Sequence, residues 1–247
     1  MAVYIAVHKE ASLPQEEGYI PLQVGAAVGA PLPHLRDNTG MHISEKNPHY
    51  CELTGLFWVW RNTRDPYKGL VHYRRYFTVR GSLLTEEEID YYLTDFDIIL
   101  PRPEPLRETA WQEFCLHSGR ESDLLRTRQA VARVDAAFLP AFDRVMAGRS
   151  LHLYNMLITT AAEFDAYCRW LFAVLTQVEV GTDMTDYSPY QRRLYGFLGE
   201  RLLNVWVAHR GLRVCALPVK HTEQTMAQGV RLWMRRQKNR FYPPFRG

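Results

Sequence analysis

The chain contains neither a G-x-x-x-x-G-K-[ST] run nor a G-x-G-x-x-G run, so the two common glycine cradles for phosphate are missing. It has no H-E-x-x-H, and its four cysteines, Cys51, Cys115, Cys168 and Cys215, lie far apart without a C-x-x-C pair. That spacing argues against structural zinc and favours reduced, buried thiols over a disulfide framework. No apolar stretch approaches the roughly 20 residues that cross a bilayer, and "MAVYIAVHKE" lacks the charged leader and long apolar run of a secretory signal. A cytoplasmic protein is expected. Charge of one sign is scarce as well: the net charge is +3 over 247 residues, too little for a sequence-independent grip on nucleic acid. Nucleic acid is therefore not an expected partner.

What is present is a large apolar fraction, 47%, enough to bury one sizeable core. "VYIAV" at the start, "YIPLQVGA", "YKGLV", "FDIILP" and "LRVCALPV" are short runs rich in apolar and β-branched residues, and each predicts a strand, as does "LHLYNMLITT". Helical patterns lie between them. "NPHYCELTGLFWVWRN" offers Asn47 as N-cap and Pro48 at the first helical position, with Trp58 and Trp60 on the core side. "SLLTEEEIDYYLTD" offers Thr85 as cap and three glutamates in its first turn. Residues 111–147, "AAEFDAYCRWLFAVLTQVEV" and "YQRRLYGFLGERLLNVWVAHRG" complete the helices, the last closed by Gly211. Strands alternating with helices predict an α/β fold, a Rossmann-like, mostly parallel sheet flanked by helices, in a single domain with helical additions. The domain is placed at 1–229. Residues 230–247 form a basic, aromatic tail, readable as a membrane-surface or partner contact or as a solvated terminal helix.

Ligands of an open parallel sheet sit beyond the carboxyl ends of its strands. His8-Lys9 and His72-Tyr73-Arg74-Arg75 both follow such ends, so two cationic clusters are predicted to converge on a crevice suited to a diphosphate. The competing reading has Arg74 and Arg75 paired with Glu86–Glu88 as surface ion pairs. "DFD", residues 95–97, precedes its strand rather than following it and is not read as a metal-binding D-x-D.

The blocks "DNTGMHISEKNPHYCELTGLFWVWRN", "YKGLVHYRRYF", "DIILP", "YNMLI", "YCRWLF" and "GFLGERLLNVW", in that order over nearly the whole chain, resemble a bacterial family of capsular and exopolysaccharide biosynthesis proteins long labelled a domain of unknown function. Its members look like glycosyltransferases of the GT-A type. The resemblance implies transfer of a sugar, with a galactose form as a candidate, from a uridine diphosphate donor to a glycan or lipid-linked acceptor in surface polysaccharide synthesis, with inversion.

GT-A enzymes usually end a central strand in D-x-D, which holds a divalent ion. Here that place is taken by His72, Tyr73, Arg74 and Arg75, so fixed cations are expected to neutralise the leaving diphosphate without a metal or other cofactor, a divalent ion being the alternative. Glu200, in "GFLGERLLNVW", is the expected base, with Asp183 and Asp186 in reserve; its alternative is pairing with Arg201, Arg193 or Asn204. His8, Lys9, His72, Tyr73 and Arg201 are assigned to substrate. Asn155 and Met156 are assigned to the donor sugar, Asn155 having the alternative of satisfying backbone groups at a strand edge. Asp37, Asn38 and Lys46 are assigned to a loop folding over the nucleotide, and Tyr50 and Glu52 open the next helix toward the crevice. The rival expectation is a non-catalytic nucleotide-sugar-binding or scaffold protein of a polysaccharide assembly complex.

Overall fold

The computed structural model describes residues 2–223, 234 and 237–239. Strands and α-helices follow one another among the described residues: β1 Ala2–Val7, β2 Tyr19–Gln23, β3 Leu35–Arg36, α1 Asn47–Tyr50, α2 Leu53–Asn62, β4 Tyr67–His72, β5 Arg75–Val79, β6 Ser82–Leu83, α3 Glu86–Asp95, β7 Ile98–Pro101 and β8 Glu104–Pro105. Then come α4 Ala110–His117, α5 Glu121–Asp135, α6 Leu139–Ala147, β9 Ser150–Leu151, β10 Leu157–Thr160, α7 Ala161–Val180, α8 Leu194–Arg210, β11 Val214–Leu217 and β12 Val219–His221.

The main sheet runs in the order β11-β7-β10-β4-β1-β2-β3. All of these strands point the same way except β10, which lies antiparallel between β4 and β7. β1 sits inside the sheet, buried along its whole length, and its alternating side chains divide between the two faces. Ala2, Tyr4 and Ala6 join the larger core, with residues of α2, α5, α6, α7 and α8; Val3, Ile5 and Val7 join the smaller one, under α3 and the β4–β5 hairpin.

Several local expectations hold. Thr85 caps α3 in a reciprocal capping box with Glu88, α7 spans the whole quoted segment, and Gly211 terminates α8 with φ of 63°. Three others are corrected. The helix expected from Asn47 is two helices, broken at Cys51, whose φ of 52° turns the chain; the Asn47 amide donates to the Cys51 carbonyl at 2.7 Å instead of capping. The strand expected across "LHLYNMLITT" is regular only at its ends, because Tyr154 and Asn155 adopt left-handed φ of 78° and 51°. The strand "YKGLVHYRRYF" does not simply end in cations: it folds back after Tyr73-Arg74 so that Arg75 starts β5 opposite His72. The reading of the tail at 230–247 lies almost wholly outside the described residues; of those described, Asn239 donates to the Pro105 carbonyl at 3.1 Å. No helix among the described residues is long and apolar enough to cross a membrane.

Candidate active site

The carboxyl ends of β1, β2 and β4 reach the same edge of the sheet, and the segment leading into β10 starts there too. These ends, with the first turns of α8 and the bend between α1 and α2, enclose a cavity of about 600 Å³. Such a volume accommodates a ligand of nucleotide size. The two clusters predicted to converge do so in part: His8, His72, Tyr73, Arg74 and Arg75 line it, whereas Lys9 does not.

Arg75 is the least satisfied of them. The hairpin turns its side chain back over the Tyr154 ring, 4.5 Å from guanidinium carbon to centroid, and its Nε is buried without a hydrogen-bond partner. Burial and neighbouring Arg74 both disfavour its charge. His72 donates from Nε2 to the Tyr154 carbonyl at 2.7 Å, leaving Nδ1 toward Arg75 Nη1 at 3.4 Å. Burial first, then Arg75, pushes its pKa down to about 3, so the ring is neutral near pH 7. The His8 ring packs edge-on against Tyr73 at 5.2 Å, and burial with Arg74 and Lys9 lowers its pKa as well. Arg74 and Lys9 flank Glu223, at 3.7 and 3.2 Å, whereas Glu88 is turned back into the cap of α3.

Across the cavity stand three carboxylates. Glu200, on the second turn of α8, accepts from the Tyr154 backbone N–H at 2.8 Å with one oxygen and from Arg201 Nη1 at 3.0 Å with the other. Burial raises its pKa; Arg201 opposes the rise, and Glu52 and Glu113 add to it. The Arg201 guanidinium is buried between Glu200 and Glu113 and rests over Phe114, with its Nε unpartnered. Glu52 accepts from Asn155 Nδ2 at 2.6 Å, and burial pushes its carboxyl up. Tyr154 touches both sides: its ring carries Arg75, its carbonyl holds His72 and its N–H holds Glu200. A left-handed backbone at a residue with a side chain is strained, and such strain concentrates at functional sites.

Other predicted residues are not brought to the cavity. Asp37 is fully buried and accepts from the backbone N–H groups of Gly25 and Ala26 at 2.9 and 3.0 Å, so it pins a loop. Lys46 pairs with Glu179 at 2.7 Å, and neither it nor Asn38 lines the cavity. Lys9 is held outside by Glu223. Met156 is entirely within the core. Asn155 is buried and spends its amide N–H groups on Glu52 and the Gly196 carbonyl, as polar side chains in a bend commonly do. Asp183 is taken up by Thr185, and Asp186 accepts from Arg120 through its backbone carbonyl. Asp97 binds Arg213 at the opposite, amino end of β7. Tyr50 is buried, and its hydroxyl reaches Glu179. No group of three or more His, Cys, Asp or Glu among the described residues is arranged to hold a metal ion. Sequence reasoning missed Tyr154 and Glu113 as site residues and treated Arg193 only as a partner for Glu200; Tyr154 opens the block "YNMLI" but nothing there assigned it a role, and each of the three acquires its place through contacts from distant segments.

The model of a domain-of-unknown-function family, DUF4422, matches residues 2–211 of the chain. No curated protein sequence matches it. Among solved structures, the apo form of the bifunctional glycosyltransferase WbbM superposes with a TM-score of 0.83 at 24% sequence identity. The similarity covers 90% of this chain and 45% of that one, so the chain spans less than half the length of the protein whose fold it shares.

Proposed function

The chain belongs to the DUF4422 family, and on that premise we propose that it is a glycosyltransferase of surface polysaccharide biosynthesis. It moves a sugar, with a galactose form as the first candidate, from a uridine diphosphate donor to a glycan or lipid-linked acceptor, with inversion and without a metal. The fold it has in common with a bifunctional glycosyltransferase supports this reading. One observation carries it: a guanidinium with a buried, unbonded Nε faces a buried carboxylate of raised pKa across one cavity.

The donor's diphosphate lies against Arg75 and Arg74, with His8 at the mouth. An anion there relieves the cost that burial and like charge impose on Arg75. Neutral His72 adds no repulsion and fixes the Tyr154 carbonyl. As the bond from the anomeric carbon to the phosphate oxygen breaks, charge gathers on the phosphate, where the cations stabilise it. The acceptor oxygen forms the new bond from the opposite side while Glu200 takes its proton; uridine diphosphate leaves. The raised pKa of Glu200 suits a base. Asn155 acts through Glu52, which it orients toward the donor sugar.

The test is a thermal-shift screen with nucleoside diphosphates, followed by transfer assays on a panel of sugar nucleotides with a chelator present. A ligand at a hundred times its Kd adds about 2.7 kcal/mol of stability. A selective response to uridine diphosphate and transfer that survives chelation are expected. No response to any nucleoside diphosphate sinks the donor assignment, and activity abolished by chelation sinks the metal-free version. Binding without turnover across the panel favours the rival reading of a non-catalytic nucleotide-sugar-binding protein.

A further inference from the structure

The geometry points to a second subsite in the same cavity: Tyr190 and Phe197, with Arg193 across them, form a platform on which a saccharide ring of the acceptor stacks, one helical turn from Glu200. This rests on the transferase reading above and locates the half of the reaction that the cationic pole leaves unplaced.

Tyr190 is 52% exposed and lines the cavity, so part of its ring is open to whatever enters there. Its ring centroid lies 5.0 Å from that of Phe197, and the Arg193 guanidinium sits 5.8 Å from one ring and 5.3 Å from the other. The two rings are tilted by 41° with Arg193 over them, and the ring surface that the guanidinium leaves uncovered, in a cavity also lined by Glu52 and Glu200, matches a sugar, which offers C–H groups on one side and hydroxyls around its rim.

The platform is built in place. Arg193 Nε donates to Cys51 Sγ at 3.3 Å, and the left-handed turn at Cys51 brings that sulfur under α8. Gly196 makes the approach feasible, because a Cβ there would lie 3.1 Å from the same sulfur. The loop that carries Tyr190 is fixed by the Tyr187 hydroxyl, which donates to buried Asp123 at 2.6 Å, and by His49, which donates from Nδ1 to the Arg192 carbonyl at 2.8 Å. Phe197 and Glu200 follow at a spacing of three and share one face of α8, with Arg193 at the cap position just before the helix. A ring resting on Phe197 presents a hydroxyl to Glu200 about 5 Å further along. The aromatic platform and the cationic pole at the ends of β1 and β4 approach the carboxylates from different elements, as donor and acceptor must.

The experiment uses methyl glycosides of galactose, glucose, mannose and N-acetylglucosamine as probes, with uridine diphosphate bound, in saturation-transfer NMR on the full chain, alongside acceptor kinetics. Ring-proton signals are expected for at least one glycoside in the wild type, lost in Tyr190→Ala and kept in Tyr190→Trp. The acceptor KM is expected to rise about tenfold in Tyr190→Ala, with the uridine diphosphate thermal shift retained. Equal glycoside signals in the wild type and Tyr190→Ala, or none from any glycoside, overturn the platform while leaving the donor site standing. A loss of uridine diphosphate affinity in Tyr190→Ala also overturns it, since the ring would then be stacking the nucleotide base. A wild type that neither binds a nucleoside diphosphate nor transfers a sugar overturns both readings.

Discussion

The two ends of the β4–β5 hairpin handle buried cations in opposite ways. Near the start of β4, Lys68 has a side chain only 2% exposed, and its ammonium meets Asp165 at 2.7 Å and lies over the Phe164 ring. At the far end, Arg75 is also drawn inward, over a ring and beside a neutral imidazole and another arginine; Glu52 and Glu200 favour its charge without pairing directly with it, and its Nε has no hydrogen-bond partner. The first arrangement is closed, and the fold needs nothing further there. The second is open, and the proposed diphosphate would complete it. A buried charge by itself is thus a poor guide to function; whether the fold supplies its counter-ion is the better one.

Replacing Arg75 by Met is the strongest way to break the contrast. Removing a charge-stabilising donor of this kind costs about a hundredfold to a thousandfold in kcat/KM, while thermal stability is expected to hold because no ion pair is lost. A large drop in Tm with unchanged kinetics would make Arg75 a second Lys68. Glu200→Gln addresses the opposite wall: turnover should fall by about a hundredfold with donor affinity intact, and an unchanged rate removes Glu200 from the mechanism.

Asp165→Asn tests the closed end. It strands a buried ammonium and should destabilise the fold by up to about 3 kcal/mol, less what solvent already screens at a carboxylate 40% exposed, with kcat untouched. Denaturant unfolding reads the first and a transfer assay the second.

The smallest effect expected is a slope. His72 binds a proton in the unfolded chain at about pH 6.5 but in the folded protein only at about 3. Between those values the unfolded state holds more protons, so His72 withdraws stability as pH falls through that window. His72→Gln should flatten this acid limb in pH-dependent unfolding. Glu52 and Glu200 have the reverse sign: their pKa values are raised by folding, so what they contribute is present at low pH and lost as pH rises through their folded values. An acid limb that keeps its slope in His72→Gln would mean that other groups set it.

Much of this was legible in the residues. The apolar run of β1, the capping signals at Thr85 and the spacing along α7 and α8 are local properties of short segments, and so is the convergence of His8 and His72–Arg75 once strands of one sheet share a direction. Asp37, Lys46 and Met156 were less legible, because a polar or flexible residue in a loop gives no sign of whether the loop will bury it. The bend at Tyr154-Asn155 was invisible for a related reason: "LYNML" has the composition of a strand, and the left-handed pair is imposed by bonds to His72, Glu200, Glu52 and Gly196, from segments up to 103 residues away.

Periodicity, caps and strand ends along the chain carry the α/β class, the order of the elements and the edge of the sheet where chemistry collects, and the quoted blocks carry the family. Which charges remain open is settled by how distant segments pack. Arg201 gained two carboxylates and Lys68 gained one, while Arg75 gained no direct ion pair among the described residues. That outcome depends on which distant side chains arrive beside each cation and how much water they displace, and neither quantity is a property of any short stretch of chain.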